Sequence, residues 1–173
     1  MGEPLTGDGF NQLFRDFTRS AFHLEMRDVY SVTEEVEPFR KWQHGEPDNY
    51  EWLREWHELI KTATGAGKSV IRARVVTEPV TDYVRFEYDM AQFNVAAGEQ
   101  LYWVPRDRTA DIEFPAHDYW LFDDEAVAFN VFADDGSSFA AHLTRDAAAV
   151  AHCVRVRDQV LAMGIPHEDY ILH

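Results

Sequence analysis

Apolar positions change their spacing several times along the chain, and each change marks an element. In residues 10–22 (FNQLFRDFTRSAF), Phe10, Leu13, Phe14, Phe17 and Ala21 recur at helical spacing, with Asp8 or Gly9 as cap. The period then drops to two. Phe22, Leu24 and Met26 alternate with His23, Glu25 and Arg27, the mark of a short strand. Residues 33–44 predict a short helix with Thr33 as N-cap. After the turn HGEPDN, residues 49–64 place Trp52, Trp56, Leu59, Ile60 and Ala63 on one stripe. That is an amphipathic helix, stopped by Gly65 and Gly67.

The rhythm differs from residue 69 onward. SVIRARVVT (69–77) is a β-branched strand ended by Pro79, and residues 80–95 predict a helix capped by Thr81 or Asp82. A strand at 101–105 and an irregular, proline-bounded loop at 106–116 follow. Strands are expected at 119–123 and 126–132, then a hairpin turn at ADDGS and a strand at 138–144. A last helix runs over 146–163 from Asp146, closed by Gly164 with Pro166 beyond. The order predicts an α/β fold, with α+β as the alternative: a mixed sheet flanked by helices. Residues 1–66 are expected as a helical N-terminal extension packed on an α/β core at 67–173, the two forming one compact unit.

Composition supports a soluble folded chain: of 173 residues, 46% are hydrophobic and 27% charged. Thirty-one acidic residues against sixteen Lys and Arg leave a net charge of −15. That disfavours general binding to a phosphate backbone, which clustered cations drive. It is compatible with a basic protein partner, or simply with solubility. Cys153 is the only cysteine, which excludes an intrachain disulfide and a zinc-binding cysteine pair. The first residues lack a basic and apolar leader and no apolar run is long enough to span a bilayer, so the cytoplasm is the expected compartment. No cofactor, no metal, no membrane and no direct nucleic-acid contact are expected.

Some stretches invite a chemical reading. TGAGKS (64–69) lacks the first glycine of a phosphate-binding loop, because Thr62 stands there. It also runs from helix to strand, the reverse of that loop, so it reads as a helix C-cap with Lys68 near the negative end. The eight histidines are scattered, without a zinc-protease pair. Cys153, beside His152 and Arg155, is either a buried structural thiol or a favoured thiolate. Arg72 and Arg74 share one strand face; with Arg85, Arg106 and Arg108 they either line an anion site or pair with carboxylates.

The segment His117-Asp118-Tyr119-Trp120-Leu121-Phe122-Asp123-Asp124 reads H-x-Y-x4-D and runs into the apolar strand AVAFNVF. It resembles the H-x-K-x4-D segment of the phospholipase D-like superfamily, which also lies on a strand followed by a hydrophobic strand. The resemblance implies a phospholipase D-like fold in which His117 would be nucleophile or general acid and Asp124 its support. Tyr119 replaces the lysine that clamps phosphate there, and a phenol supplies no fixed positive charge. Active members need two complete motifs, and this chain carries one altered copy.

A second resemblance covers most of the chain. FNQLFRDFTRSAFHLEMRDVY, RVVTEPVTDYVRFE, NVAAGEQLYWVPR and HDYWLFDD are similar to an uncharacterised actinobacterial domain-of-unknown-function family. Its members tend to occur near helix-turn-helix regulators. What this implies is a regulatory, partner-binding role. The expectation is a non-catalytic module that binds a protein partner, such as a DNA-binding regulator, or senses a small anionic ligand; a homodimer is also compatible. Arg74, Asp82, Arg85, Asn94, Arg106 and Asp123 sit at or near strand–helix junctions and are the candidate ligand or partner residues. The alternative is a divergent phosphodiesterase using His117, oriented by Asp124, with Arg74 or Arg106 in place of the lost lysine.

Overall fold

The computed structural model describes residues 2–133 and 139–173. Chain order runs β1 (Glu3–Pro4), α1 (Gly7–Asp16), β2 (Ser20–Glu25), α2 (Thr33–Gln43), a 3-10 turn (Glu51–Leu53), α3 (Arg54–Gly65), β3 (Ser69–Val76), α4 (Asp82–Ala97) and β4 (Gln100–Pro105). A second 3-10 turn (Arg106–Thr109) leads to β5 (Asp118–Phe122), β6 (Ala126–Phe132), β7 (Phe139–Thr144), α5 (Ala147–Met163) and β8 (Ile165–Pro166). Among the described residues eight strands form one open mixed sheet, ordered β1-β7-β6-β5-β2-β3-β4-β8. Strands β2, β3 and β4 are parallel neighbours, and β5, β6 and β7 form an antiparallel meander that joins them at β2. Helices flank both faces, so the α/β expectation holds.

Caps explain most helix starts. Thr6, Thr81 and Asp146 each accept a backbone N–H of the following turn, from Gly9, Val84 and Ala149. The α1 cap therefore precedes the expected Asp8 or Gly9. Thr33 is the first residue of α2 rather than its cap, and Val32 at the cap position makes no side-chain cap bond. The two-residue strands β1 and β8 lack an alternating pattern of their own. They exist by pairing with β7 and β4. The hairpin turn expected at ADDGS lies largely outside the described residues.

Strand β2, from the first third of the chain, lies at the sheet centre between β3 and β5. Its alternation sets the two faces. Phe22 and Leu24 join Ala73, Val75, Tyr119, Leu121 and Val127 under Val150, Cys153, Val156 and Val160 of α5. On the other face Ala21, Val70, Trp120, Phe122 and Ala128 pack against Phe14 of α1 and Ile60 and Ala63 of α3. That second face is apolar only in part. His23, Glu25, Arg72, Arg74, Asp118 and Asn130 occupy the same alternation further along their strands, and all six are buried.

Candidate functional site: a buried ionic cluster beside an aromatic cavity

Register brings the polar residues together. His23 lies opposite Arg72 and Trp120, Glu25 opposite Arg74, and Asp118 opposite Asn130. Arg72 donates from Nε to Glu99 Oε1 at 2.8 Å and pairs through Nη1 with Glu25. Arg74 reaches Glu25 Oε2 at 2.7 Å through Nη1 and pairs through Nη2 with Glu87 of α4. Two guanidiniums are thus engaged by three buried carboxylates. Such a network leaves neither guanidinium without a carboxylate, since isolated buried charge is expensive. Further along β5, Asp118 accepts from the Met26 N–H at 3.0 Å and from the Tyr30 hydroxyl.

Titration follows burial and these neighbours. Burial pulls Glu25 upward, but Arg72 and Arg74 outweigh it and hold the carboxyl down at about 2. Burial, reinforced by the two arginines against Glu25, drops His23 to about 3. The imidazole is therefore neutral through the physiological range. It stacks on Trp120 at 4.2 Å between ring centroids. Burial raises Asp118 to about 6, against the Tyr30 hydrogen bond. Burial raises Glu87 as well, with Arg74 opposing. Glu35 of α2, which accepts from the Tyr83 hydroxyl, is raised to about 8 by burial and then by the charge of Glu87.

A carboxyl raised on folding binds its proton more tightly in the folded state. Its stabilisation is complete below the unfolded pKa and lost as pH climbs to the folded one. The contribution of Glu35 to the melting temperature should therefore fall as pH rises from about 4 to about 8, so Glu35→Gln should lose less stability than wild type over that range. Parallel pH–melting curves for the two proteins would show that Glu35 is already solvated and ionised.

Two cavities adjoin at this cluster. The larger, about 340 Å³, is walled by Trp52 and Trp56 on successive turns, by Trp120 from β5, and by Phe10, Phe14 and Met90. The smaller, about 210 Å³, holds His23, Asp118, Asn130, Tyr30 and Tyr83. Arg72, Arg74, Glu35 and Glu87 border both. Among the described residues no group of three His, Cys, Asp or Glu side chains is arranged to hold a metal ion. No helix among them is long and apolar enough to cross a membrane.

Of the candidates read from sequence, Arg74 and Asn94 meet at the larger cavity. Asn94 Oδ1 lies 3.0 Å from His57 Nε2. The others lie elsewhere. Asp82 is exposed at the start of α4, and Arg85 is half-buried one turn on. Arg106 donates to Thr77 Oγ1 at 2.9 Å and to the Met26 and Val75 carbonyls at 2.6 and 3.2 Å, which ties the ends of β2, β3 and β4 together. Asp123 sits in the β5–β6 turn and accepts from the N–H groups of Thr18, Arg19 and Ser20. His117 precedes β5 and Asp124 follows it, so roughly 17 Å of extended strand separates them. Asp124 pairs with Arg157 of α5.

Tyr119 is buried on the α5 face, where its hydroxyl donates to the Cys153 carbonyl at 2.8 Å. The phenol therefore does not stand in the polar face, and the residues of β5 that do are Asp118 and Trp120. Cys153 is buried and its thiol is pushed up to about 12, as a structural thiol would be. Arg72 and Arg74 follow the ion-pair reading, not the open anion site, because Glu25, Glu87 and Glu99 reach them first. Sequence reasoning did not single out Glu25, Glu87, Glu99, Asp118 or Asn130. One signal was present: charged residues at alternating positions of two apolar strands, in His23-Leu24-Glu25 and Arg72-Ala73-Arg74.

The fold has solved counterparts. NucT from Helicobacter pylori superposes with a TM-score of 0.54 at 10% identity, over 92% of this chain and 91% of that one. Nuc from Salmonella typhimurium, a phospholipase D family member, gives 0.53 at 8% identity, over 95% of this chain and 98% of that one. At such identities the likeness is one of fold, and the mixed sheet with its flanking helices is phospholipase D-like. No curated protein matches the sequence. The profile of one family does match, over residues 8–172, nearly the whole of the sheet and all five helices but the first residue of α1. The chain therefore belongs to DUF6879, a domain of unknown function.

Proposed function

We propose that this chain is a non-catalytic, partner-binding regulatory module built on a phospholipase D-like scaffold. The observation that carries the reading is that both guanidiniums of the cluster are occupied by carboxylates. Phosphoryl transfer needs cations left available for the developing charge. Both guanidiniums of the polar face are instead held by Glu25, Glu87 and Glu99. General acid–base work at neutral pH needs a group that titrates there. His23 does not, being held near 3, and the carboxyls that do, Asp118 at about 6 and Glu35 at about 8, are taken up by the hydroxyls of Tyr30 and Tyr83. The pair His117 and Asp124 is divided by the length of β5.

A protein partner accords with the net charge of −15, which suits a basic surface. A DNA-binding regulator in the cytoplasm is the partner proposed. Native copurification should recover one specific protein, and background alone would count against the partner.

The catalytic question has its own assay. A chromogenic phosphodiester such as bis(p-nitrophenyl) phosphate should be hydrolysed to p-nitrophenolate no faster with wild type than in buffer, and His117→Ala should behave identically. Hydrolysis that disappears in His117→Ala would overturn the non-catalytic reading in favour of a divergent phosphodiesterase.

A further inference from the structure

Helix α2 brings Glu35 to the ionic cluster, yet none of its own residues is buried. The segment is fastened at two places. Before the helix, the Asp28 carboxylate accepts from Thr77 N at 2.8 Å and from Thr77 Oγ1 at 2.7 Å, and the Asp28 carbonyl accepts from Thr81 Oγ1 at 2.8 Å. Near its end, Trp42 Nε1 donates to Asp89 Oδ2 of α4 at 2.7 Å. Among the described residues, the side-chain hydrogen bond that ties α2 to the body between those places is the one Tyr83 donates to Glu35. The start of the helix is weakly built. Val32 provides no side-chain cap, and Pro38 has no N–H for the Glu34 carbonyl. Thr33, Glu34, Val36 and Glu37 are exposed, while Glu35 borders both cavities.

A charged Glu35 finds no uncommitted cation in this place. Arg74 already pairs with Glu25 and Glu87, and Arg72 with Glu25 and Glu99. Carboxylates therefore outnumber guanidiniums before Glu35 is counted, and one more buried charge is expensive. From α4, Glu87 opposes ionisation of Glu35 and the Tyr83 hydroxyl favours it; from the sheet, Arg74 favours it and Glu25 opposes it. Burial and Glu87 prevail. The other titratable groups on the smaller cavity do not supply the missing cation. His23 is neutral, and Asp118 of β5 is a further carboxyl, joined to Tyr30.

We propose that the first half of α2 is a strap, hinged at Pro38, that closes over the ionic cluster only while the Glu35 carboxyl is uncharged. Phe39 and Trp42 hold the second half against Tyr83 and Phe86, so opening is confined to residues 29–37. Because Glu35 borders both cavities, they open together. An open strap leaves Glu35 in water, where a carboxyl ionises near its ordinary value. Closing therefore takes up a proton, and it weakens by up to about tenfold for each pH unit from the ordinary value to the raised one of about 8.

The test is amide hydrogen exchange of the full chain, read by mass spectrometry at about pH 5.5 and about pH 7.5 and corrected for the intrinsic rate at each pH. Protection of residues 33–37 in wild type should fall at least about tenfold between the two. Helix α5, on the opposite face of the sheet, should change less than about threefold. Glu35→Gln keeps the shape of the uncharged carboxyl and cannot ionise, so its 33–37 peptides should stay within about threefold of the wild-type value in acid at both pH values. Circular dichroism confirms that the variant is folded; the wild-type comparison of α2 with α5 decides the matter should it not be. The proposal is overturned if wild-type α2 keeps its protection, if α5 loses protection in step with it, or if folded Glu35→Gln shows the wild-type fall. Each of these results leaves the non-catalytic reading standing, since only phosphodiester hydrolysis bears on that.

Discussion

Arg74→Ala should destabilise the protein by about 3–5 kcal/mol, read as a lowered denaturation midpoint at unchanged slope. The guanidinium is buried at the sheet centre and joins Glu25 of β2 to Glu87 of α4. Its removal leaves Glu87 without its ion pair and Glu25 with Arg72 alone. The cost is mainly that of uncompensated charge, because a lone buried ion pair contributes little net stability by itself. Two consequences separate this account from simple loss of packing. The deficit should shrink on acidification, since Glu87 is already raised by burial and takes up a proton readily once Arg74 is gone. Adding Glu87→Gln to Arg74→Ala should restore part of the loss, so the double mutant would be more stable than the sum of the singles. A loss under about 1 kcal/mol with no pH dependence would mean that the cluster is solvated.

Asp123→Ala should cost about 3 kcal/mol, from lost charged hydrogen bonds and an unfavourable backbone. The carboxylate accepts from Thr18 N at 2.7 Å, Thr18 Oγ1 at 3.0 Å, Arg19 N at 2.7 Å and Ser20 N at 2.9 Å. It thereby fastens the entry of β2 to the β5–β6 turn. Asp123 and Asp124 have φ of 55° and 62°, a left-handed region that aspartate tolerates better than alanine. Asp123→Asn keeps that tolerance and one acceptor, so about half the loss should return.

The pH dependence has a definite sign. Burial raises the Asp123 carboxyl, but the Ser20, Thr18 and Arg19 N–H groups outweigh it and hold it below its usual range. A depressed carboxyl stabilises the fold above its unfolded pKa and loses that contribution as pH falls through the folded one. Wild type should therefore lose its advantage over Asp123→Asn only below about pH 4. Asp123 was also a candidate partner residue. If Asp123→Ala kept wild-type stability while losing a copurifying partner, the turn would be an interface and not a clasp.

How much of this was legible differs by element. The strand Ser69–Val76, the helix Asp82–Ala97 and the meander Asp118–Thr144 follow from local period and caps, and the structure returns them within a residue or two. Strands β1 and β8 were not legible, because two residues carry no period and gain their state from a neighbour. Arg74 and Asn94 were singled out from their positions in strand and helix, and they do meet at one cavity. The partners of Arg74, Glu25 and Glu87, lie about fifty residues before it and about a dozen after it, and nothing local links them. The frame His117-Tyr119-Asp124 pointed to the phospholipase D-like fold that the structure has, and the phase of the strand decides which of its residues share a face. A strand alternates with period two, so a one-residue difference in phase moves a side chain to the other face. Tyr119 accordingly lies under α5, while Asp118 and Trp120 face the polar cluster.

By itself the sequence determined the type and order of the longer elements, the caps of α4 and α5 and the acidity, because these depend on neighbours within a few residues. The tertiary structure decided which charges meet. Pairing β2 between β3 and β5 sets Glu25 beside Arg74 and His23 beside Arg72 and Trp120, and α4 crossing above delivers Glu87. Only then do two arginines become part of a buried ion-pair cluster instead of an anion site, since burial makes each charge depend on the partners within reach.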